Sequence, residues 1–147
     1  MKILYQGSPG AYSHLAALEI YPDAEVIACK TFDECFTKAK KDNKLKIIIP
    51  ESNRITGNIG IEYLMFKHRL NIFAEHFLQI EHNLLGLRGS KLEDVKNVFS
   101  HAQALSQCSN FIKKNKFIEN VHADTAGSAE LISKSKKKNE AAIASKL

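Results

Sequence analysis

Short apolar runs and amphipathic segments alternate along most of the 147 residues. Runs rich in β-branched residues predict strands, and apolar residues spaced three or four apart predict the helices between them. Thr31 followed by Glu34 is typical of a helix N-terminus with a capping box. In the first half of the chain, the pattern predicts strands at 2–6, 24–28 and 45–50 and helices at 11–21, 32–41 and 58–70.

The stretch 71–87 breaks this rhythm, because apolar and polar residues alternate there and predict a long extended segment. No sequence repeat relates the parts of the chain before and after it. We therefore expect two βα clusters joined by an extended crossing segment. After that segment, the pattern predicts strands at 95–100, 117–123 and 141–145 and helices at 101–115 and 125–136.

Strands that alternate with helices imply a mainly parallel sheet with both faces covered. In such sheets, ligands bind beyond the carboxyl ends of the strands, where loops lead into helix N-termini. Three polar loops fall at these transitions, at 6–13, 50–57 and 100–103. Their shared placement is the main physical argument for a binding site.

The first loop, GSPGAYS, has two glycines around a proline and then enters a helix. Glycine lets the backbone approach a ligand closely, and the amides at a helix start favour an anion. The alternative is a tight turn with Tyr12 or Ser13 near the helix start. The spacing fits neither a P-loop nor a dinucleotide fingerprint.

The second loop, PESNRITGN, places Asn53, Arg54 and Thr56 just before Gly57. A guanidinium at Arg54 could hold a carboxylate through two parallel hydrogen bonds. The alternative is an exposed polar loop whose Asn and Thr cap the next helix. The sequence alone leaves both interpretations open.

The third loop, SHAQ, fits a capping box in which Ser100 caps the helix and Gln103 completes the box. Adjacent Ser100 and His101 are poor evidence for a nucleophile and its base, since such pairs are defined by contact in space. Gln103 and Gln107 are four residues apart and share one helix face. They are candidates for lining or buttressing a cleft.

A fourth stretch, DTAGSAE, places Asp124 or Thr125 at a helix N-cap. Small residues such as Ala126 fill the first turn that follows. They would let a ligand or another backbone come close, while capping and tight helix packing are the simpler explanation.

Composition narrows the class of protein. A hydrophobic fraction of 44% and a charged fraction of 25% are typical of a soluble globular domain, and no membrane span or signal peptide is evident. We therefore expect a cytoplasmic protein. Three cysteines without CxxC spacing predict buried free thiols, and the scattered histidines predict no metal site.

The net charge of +5 comes largely from lysine runs without interleaved aromatic residues. Such runs are usually solvated helix ends, so neither nucleic-acid nor membrane binding is expected. A modest positive field would instead attract a small anionic substrate.

Six stretches, taken in order from residue 2 to residue 147, resemble the catalytic domain of prephenate dehydratase. YQGSPGAYSHLAA is similar to that family's opening glycine-rich motif, and IIIPESNRITG occupies the place of its P-x-E-N-S-x-x-G loop. EHFLQIEHNLLG resembles its crossing segment. VFSHAQALSQC is similar to its S-H-P-Q-A-L-x-Q-C motif, ADTAGSA to its s-T-A-x-A-A segment, and AAIAS to the strand that follows.

The resemblance implies an α/β fold of two βα lobes of the periplasmic-binding-protein type II kind, with a cleft between them. It places lobe 1 at about 1–75, the crossing segment at about 71–87 and lobe 2 at about 80–147. It also implies a reaction in which prephenate loses carbon dioxide and its ring hydroxyl to give phenylpyruvate for phenylalanine synthesis. No cofactor or metal is implied.

The enzyme implied by the resemblance must hold two carboxylates and assist the departure of hydroxide with a general acid. Four of the matching stretches supply the candidate substrate-binding residues. These are Gly10, Tyr12, Ser13, Asn53, Arg54, Thr56, Gly57, Ser100, His101, Gln103, Gln107, Thr125 and Ala126.

The sequence departs from the family pattern in two ways. Asn53 matches the asparagine of E-N-S, but Ser52 and Arg54 flank it, and Glu51 is shifted by one residue. The family's T-R-F motif, whose threonine is thought to act as the acid, does not occur in the chain. We therefore expect a truncated domain that lacks the closing part of lobe 1 and the ACT domain, with low or no dehydratase activity by itself.

Three alternatives stay open. The chain could be a non-catalytic module that binds a small carboxylate, or an arogenate dehydratase, whose substrate differs only by an amino group on the side chain. A homodimer is also open, because a lobe without its closing strand exposes an edge that invites pairing.

Overall fold

The computed structural model describes residues 1–53 and 57–146. Contacts divide the chain into two compact units, 1–79 and 80–147, and each is described by itself. The first unit contains β1 (Lys2–Gln6), α1 (Tyr12–Ile20), β2 (Glu25–Cys29), α2 (Phe32–Lys41), β3 (Leu45–Ile48), β4 (Ser52–Asn53), β5 (Gly57–Asn58) and α3 (Glu62–His68). The second contains β6 (Asn83–Gly86), β7 (Asn97–Ser100), α4 (Ala102–Gln107), α5 (Ser109–Asn115), β8 (Ile118–Val121), α6 (Thr125–Lys134) and β9 (Glu140–Ala144), with a short 3-10 turn at Leu92–Asp94.

The first unit is built on a parallel sheet with the strand order β2-β1-β3. The central strand β1 is buried on both faces, because the two helices that follow β1 and β2 cover opposite sides of the sheet. Tyr5 stacks on His14 of α1, whereas Leu4 packs with Cys35 and Ala39 of α2 on the other face. This placement follows from right-handed crossovers that run in opposite directions along the sheet, from β1 to β2 and then from β2 back to β3.

Helix α2 begins as the sequence predicts. The N–H of Glu34 donates to Oγ1 of Thr31 over 3.1 Å, and the Glu34 carboxylate accepts from the N–H of Lys30 over 2.8 Å. The carboxylate therefore reaches one residue further back than an ideal capping box requires.

The second unit repeats the same order around β7, the first of its parallel strands. β8, β7 and β9 are parallel neighbours in the order β8-β7-β9, and β6 adds an antiparallel strand beside β9. Four successive residues of β9, at 141–144, are buried, as expected for a central strand covered on both faces. The core contains Val98, Leu105, Ile112 and Ile143.

The predicted strands and helices are confirmed with shifts of a few residues at their ends. Three details differ. The predicted helix 101–115 is broken at Cys108, whose backbone leaves the helical region (φ −94°, ψ 9°), into α4 and α5. Part of the second predicted loop forms the small antiparallel pair β4-β5. The segment 71–82 has no regular secondary structure, and only Asn83–Gly86 of the predicted extended stretch is a strand.

Candidate functional site

The loop after β1 turns sharply at two glycines. Gly7 has φ 121° and Gly10 has φ 88°, values that L side chains rarely adopt. The N–H of Gly7 donates to the carbonyl of Cys29 over 3.1 Å, which ties the turn to the end of β2. The backbone can follow this path only because both positions lack a Cβ.

Helix α1 begins directly after this turn. Its N-cap residue, Ala11, makes no side-chain capping bond, and Tyr12 and Ser13 are the first helical residues. Backbone N–H groups at a helix start point outward and carry the positive end of the helix dipole. The predicted residues Gly10, Tyr12 and Ser13 thus lie together in a setting that suits an anion.

His14 holds the glycine turn after β1 in place. The sequence pattern did not identify this histidine as a candidate residue. Its Nδ1 accepts a hydrogen bond from the N–H of Gly10 over 3.0 Å. Its ring stacks on Tyr5 with the centroids 5.1 Å apart, so the imidazole is held against the sheet. The signal in the sequence was a histidine four residues after the second glycine, one helical turn away.

The loop after β3 leaves the sheet beside the glycine turn, because β1 and β3 are paired parallel strands with Tyr5 opposite Ile48. Helix α3 packs on the α2 side through Asp33, whereas α1 lies on the Tyr5 side. The chain thus leaves β1 and β3 toward opposite faces. The carboxyl ends of β1 and β3 therefore form a topological switch point, the place where open parallel sheets commonly bind ligands.

Asn53 and Gly57 face each other across the β4-β5 pair. Gly57 has φ 76°, which explains a glycine at the end of the loop. Arg54 and Thr56, the other two candidates in this loop, lie outside the described residues, and their roles stay predictions.

Ser100 does not cap a helix, which corrects the capping-box prediction. Its Oγ donates to the carbonyl of Ile143 in β9 over 2.6 Å, and the side chain is fully buried. Its own carbonyl accepts from the N–H of His122, just after β8, over 2.8 Å. Ser100 therefore ties three strands together at their carboxyl ends instead of presenting a hydroxyl to solvent.

His101 is the actual N-cap of α4. Its Nδ1 accepts from the N–H of Gln103 over 3.4 Å, and its side chain is exposed. Since the serine hydroxyl points to Ile143 and the imidazole to Gln103, Ser100 and His101 do not form a nucleophile and base. The sequence argument against such a pair is confirmed.

Gln107 is bound within the second unit. Its Oε1 lies 2.9 Å from Nε2 of His82, a residue just before β6. This contact holds the Gln107 side chain against the segment before β6, and whether it lines or buttresses a cleft stays a prediction. Gln103, on the same helix, is half-buried.

The start of α6 confirms Asp124 as an N-cap. Its Oδ1 accepts from the N–H of Gly127 over 2.6 Å, and Ser128 Oγ donates to its carbonyl over 2.7 Å. A Cβ at position 127 would lie 3.1 Å from the Asp124 carboxylate, so glycine lets the carboxylate approach this closely without a shift. Thr125 and Ala126 are the first helical residues, and Ala126 is buried.

The cysteines are poor nucleophiles. Cys29 and Cys35 are buried, and burial raises the pKa of the Cys35 thiol to about 12. Burial also raises the pKa of Cys108. A thiol with a raised pKa stays protonated near neutral pH and is unreactive.

Within the described part of the chain, no three His, Cys, Asp or Glu side chains converge in a way that could hold a metal ion. No helix among those residues is long and apolar enough to cross a membrane.

The fold and these loops define a mixed α/β protein with polar loops and helix starts at the carboxyl ends of its parallel strands. Residues 3–147 match the family described as prephenate dehydratase, and the chain belongs to that family. The resemblance inferred from the sequence is thereby confirmed.

A plant relative agrees with this placement. An Arabidopsis thaliana protein named arogenate dehydratase/prephenate dehydratase 1, chloroplastic, is 42% identical over 147 residues. That match covers 99% of this chain and 37% of the relative, so the chain spans little more than a third of that protein's length.

Two solved structures share the fold. A quorum-quenching acylase named GqqA is 34% identical with a TM-score of 0.89, over all of this chain and 54% of the acylase chain. A prephenate dehydratase from Arthrobacter aurescens, in complex with L-Phe, is 20% identical with a TM-score of 0.87. It matches over 99% of this chain and 50% of its own, and at that identity it supports the mixed α/β fold alone.

The expectation of a cytoplasmic protein is wrong. The Arabidopsis relative is chloroplastic by name, which points to a plastid and away from the cytoplasm. Composition could not show this, because a soluble domain has similar composition in either compartment.

Proposed function

We propose that this chain is the substrate-binding part of a dehydratase that acts on prephenate or arogenate in phenylalanine biosynthesis. The family match over residues 3–147 carries the proposal. The proposal includes both substrates, because the name of the Arabidopsis relative contains both activities. They share the ring and its carboxylate and differ in the side chain.

The proposed contacts start from the first unit. The start of α1 binds one substrate carboxylate through backbone N–H groups at Tyr12 and Ser13, and Gly10, whose own N–H is bound to His14, shapes the turn beside it. The missing side-chain cap at Ala11 supports this assignment, since a helix start without a cap suits an anionic ligand. Asn53 and Gly57 flank the same ligand from the loop after β3.

In the second unit, we assign substrate contacts to His101, Gln103, Thr125 and Ala126 at the starts of α4 and α6. Ser100 and Gln107 are positioning residues, because Ser100 bonds to Ile143 and Gln107 to His82. Arg54 and Thr56 are proposed as further anion contacts on sequence grounds.

We also propose that the two units are lobes of the periplasmic-binding-protein type II kind. The shared order of the parallel strands supports this, since each unit places its first parallel strand, β1 or β7, between the next two parallel strands. The boundary near residue 79 falls inside the segment that the sequence predicts to be the crossing.

The binding test uses calorimetry of the chain with prephenate and with arogenate. We expect saturable binding of at least one of them, weakened about tenfold to a hundredfold by Asn53→Ala, because one hydrogen bond to a charged group is lost. Asn43→Ala, at an exposed asparagine in the turn before β3, is the matched control. Absence of binding by both substrates would overturn the proposal.

A second candidate function is amide hydrolysis, because a solved acylase is 34% identical over the whole chain. The bond from Ser100 to Ile143 argues against it, since it removes the hydroxyl that a Ser-His mechanism would use. Release of a carboxylic acid from an N-acyl amide by the protein, measured beside the dehydratase assay, separates the two activities.

A further inference from the structure

The histidine that holds the glycine turn after β1 can do so in one protonation state only. Nδ1 of His14 accepts the hydrogen bond from the N–H of Gly10, so this nitrogen carries a lone pair and no proton. The proton of the neutral imidazole is therefore on Nε2. A second proton can enter the ring only at Nδ1, where it would meet the hydrogen of the Gly10 N–H and break the bond.

The other described hydrogen bonds of this turn join backbone groups. The N–H of Gly7 donates to the carbonyl of Cys29 over 3.1 Å, and the N–H of Ala11 donates to the carbonyl of Ser8 over 3.0 Å. Backbone amides keep their protonation over the pH range in which an imidazole changes its charge. Among the described bonds of the turn, the one to His14 is therefore the bond that a change in pH can remove.

The groups that face the His14 ring from β1 and β2 carry no charge at neutral pH. Tyr5 stacks on the ring, and burial raises the pKa of the Tyr5 hydroxyl above its ordinary value, so the phenol stays neutral. Val26 and Ala28 of β2 pair with Ile3 and Tyr5 and lie on the same face of the sheet. This surface offers an imidazolium no anionic partner.

The charged groups nearer to α1 have other partners. Lys46 of β3 lies on the same face of the sheet, and its Nζ is 5.0 Å from the centre of the Phe73 ring. Oε1 of Glu19, in α1 itself, lies 3.4 Å from Nε2 of His76. No carboxylate in the described part of the chain forms an ion pair with His14. A proton added to His14 would therefore gain no ion pair to offset the lost hydrogen bond.

We propose that His14 is a positioning residue that makes substrate binding depend on pH. While the imidazole is neutral, its bond to Gly10 keeps the turn in the shape that directs the amides of Tyr12 and Ser13 toward the substrate carboxylate. When the imidazole is protonated, the Gly10 N–H is released, the turn loosens and binding weakens. The proposal rests on the proposed function, because this turn is part of the proposed substrate site.

The predicted direction separates this role from a direct contact. A histidine that touched the substrate as a cation would strengthen the binding of an anion in acid. A histidine that holds the turn through a neutral ring should instead weaken that binding in acid.

The first measurement needs no substrate. Nitrogen-15 NMR of the labelled chain reports which imidazole nitrogen carries the proton, and we expect Nδ1 of His14 to be unprotonated at about pH 8. As the pH falls to about 5, the amide resonance of Gly10 should shift together with the ring resonances of His14. A protonated Nδ1 at the higher pH, or a Gly10 amide that does not follow the ring, would overturn the proposal.

The second measurement is calorimetry with prephenate and with arogenate at about pH 8 and about pH 5.5. We expect the affinity of the unchanged chain to fall about three- to tenfold at the lower pH, because one hydrogen bond of the turn is lost. His14→Gln supplies an amide oxygen that accepts a bond at either pH, so its affinity should change less. His14→Phe keeps a ring on Tyr5 without an acceptor, so it should bind weakly at both pH values.

His76→Gln, at a histidine outside the proposed site, is the matched control and should keep the pH dependence of the unchanged chain. An affinity that rises in acid, or an equal fall in His14→Gln, would contradict the proposed role of His14. Absence of binding at about pH 8 would overturn the proposed function. The titration without substrate reports on the bond between Gly10 and His14 by itself, so the two failures are distinguishable.

Discussion

At the scale of single residues, polar side chains hold the candidate site in place more than they face a ligand. Ser100 bonds to Ile143, His14 holds Gly10, and Gln107 contacts His82. Two of these three were predicted as substrate contacts from their position in a motif. A motif shows which residue types recur at a site. Hydrogen-bond geometry shows which of those side chains bond to other parts of the protein.

Ser100→Ala should destabilise the second unit by about 1–3 kcal/mol, because the buried bond to the Ile143 carbonyl is lost and no water reaches the site. Urea unfolding measures the change. Ser106→Ala, at an exposed position on α4, should change stability by less than about 0.5 kcal/mol. If both variants unfold at the same midpoint, Ser100 does not support the sheet.

At the scale of elements, α3 combines apolar contacts at its two ends, from Ile61 and Leu70, with polar contacts to one carboxylate of α2. None of its residues is buried. Lys67 Nζ and His68 Nε2 lie 2.7 and 3.2 Å from Asp33 Oδ1 of α2, and the His68 ring packs against Phe36. One carboxylate of α2 therefore contributes to holding the helix that follows the second polar loop.

This attachment should depend on pH. The hydrogen bond from Lys67, followed by that from His68, lowers the pKa of Asp33 below its ordinary value of 3.8. A lowered folded-state pKa means that the contribution is complete above that ordinary value and is lost as the pH falls through the folded-state pKa. Stability should therefore fall in strong acid as Asp33 becomes protonated.

Asp33→Asn tests this contribution. We expect faster amide exchange in α3 than in the unchanged chain at about pH 5 to 7, with the difference shrinking below about pH 4. Asp23→Asn, at an exposed aspartate, serves as the matched control. A difference that persists unchanged into strong acid would show that packing, and not the carboxylate, holds α3.

At the scale of the whole molecule, the net charge of +5 at pH 7 favours anionic ligands. Attraction between an anion and exposed charges is screened by salt, with a Debye length of about 10 Å at 0.1 M and about 3 Å at 1 M. Binding of a substrate with two carboxylates should therefore be more sensitive to salt than binding of an uncharged analogue.

Calorimetry with prephenate at rising sodium chloride measures this effect. We expect affinity to fall several-fold between about 0.05 M and 0.5 M salt as the field is screened. Arogenate carries an additional positive amino group, so its affinity should fall less. Equal salt dependence for the two substrates would show that net charge contributes little to recognition.

The sequence by itself determined the elements and the family. The spacing of apolar residues located the strands and helices, because it depends on which side of each segment is buried. The Thr31 and Asp124 caps were also readable, since a capping bond joins residues only three apart. The six family-like stretches, in order along the chain, led to the family that the comparison with known proteins confirms.

Only the tertiary structure decided how distant residues meet. The order of strands in each sheet, the bond from Ser100 to Ile143, and the contact of His82 with Gln107 join segments far apart in the chain. A local pattern cannot distinguish a serine that caps the next helix from one that bonds to a strand 43 residues away. That choice depends on packing around the whole sheet, which sets where each hydroxyl finds its acceptor.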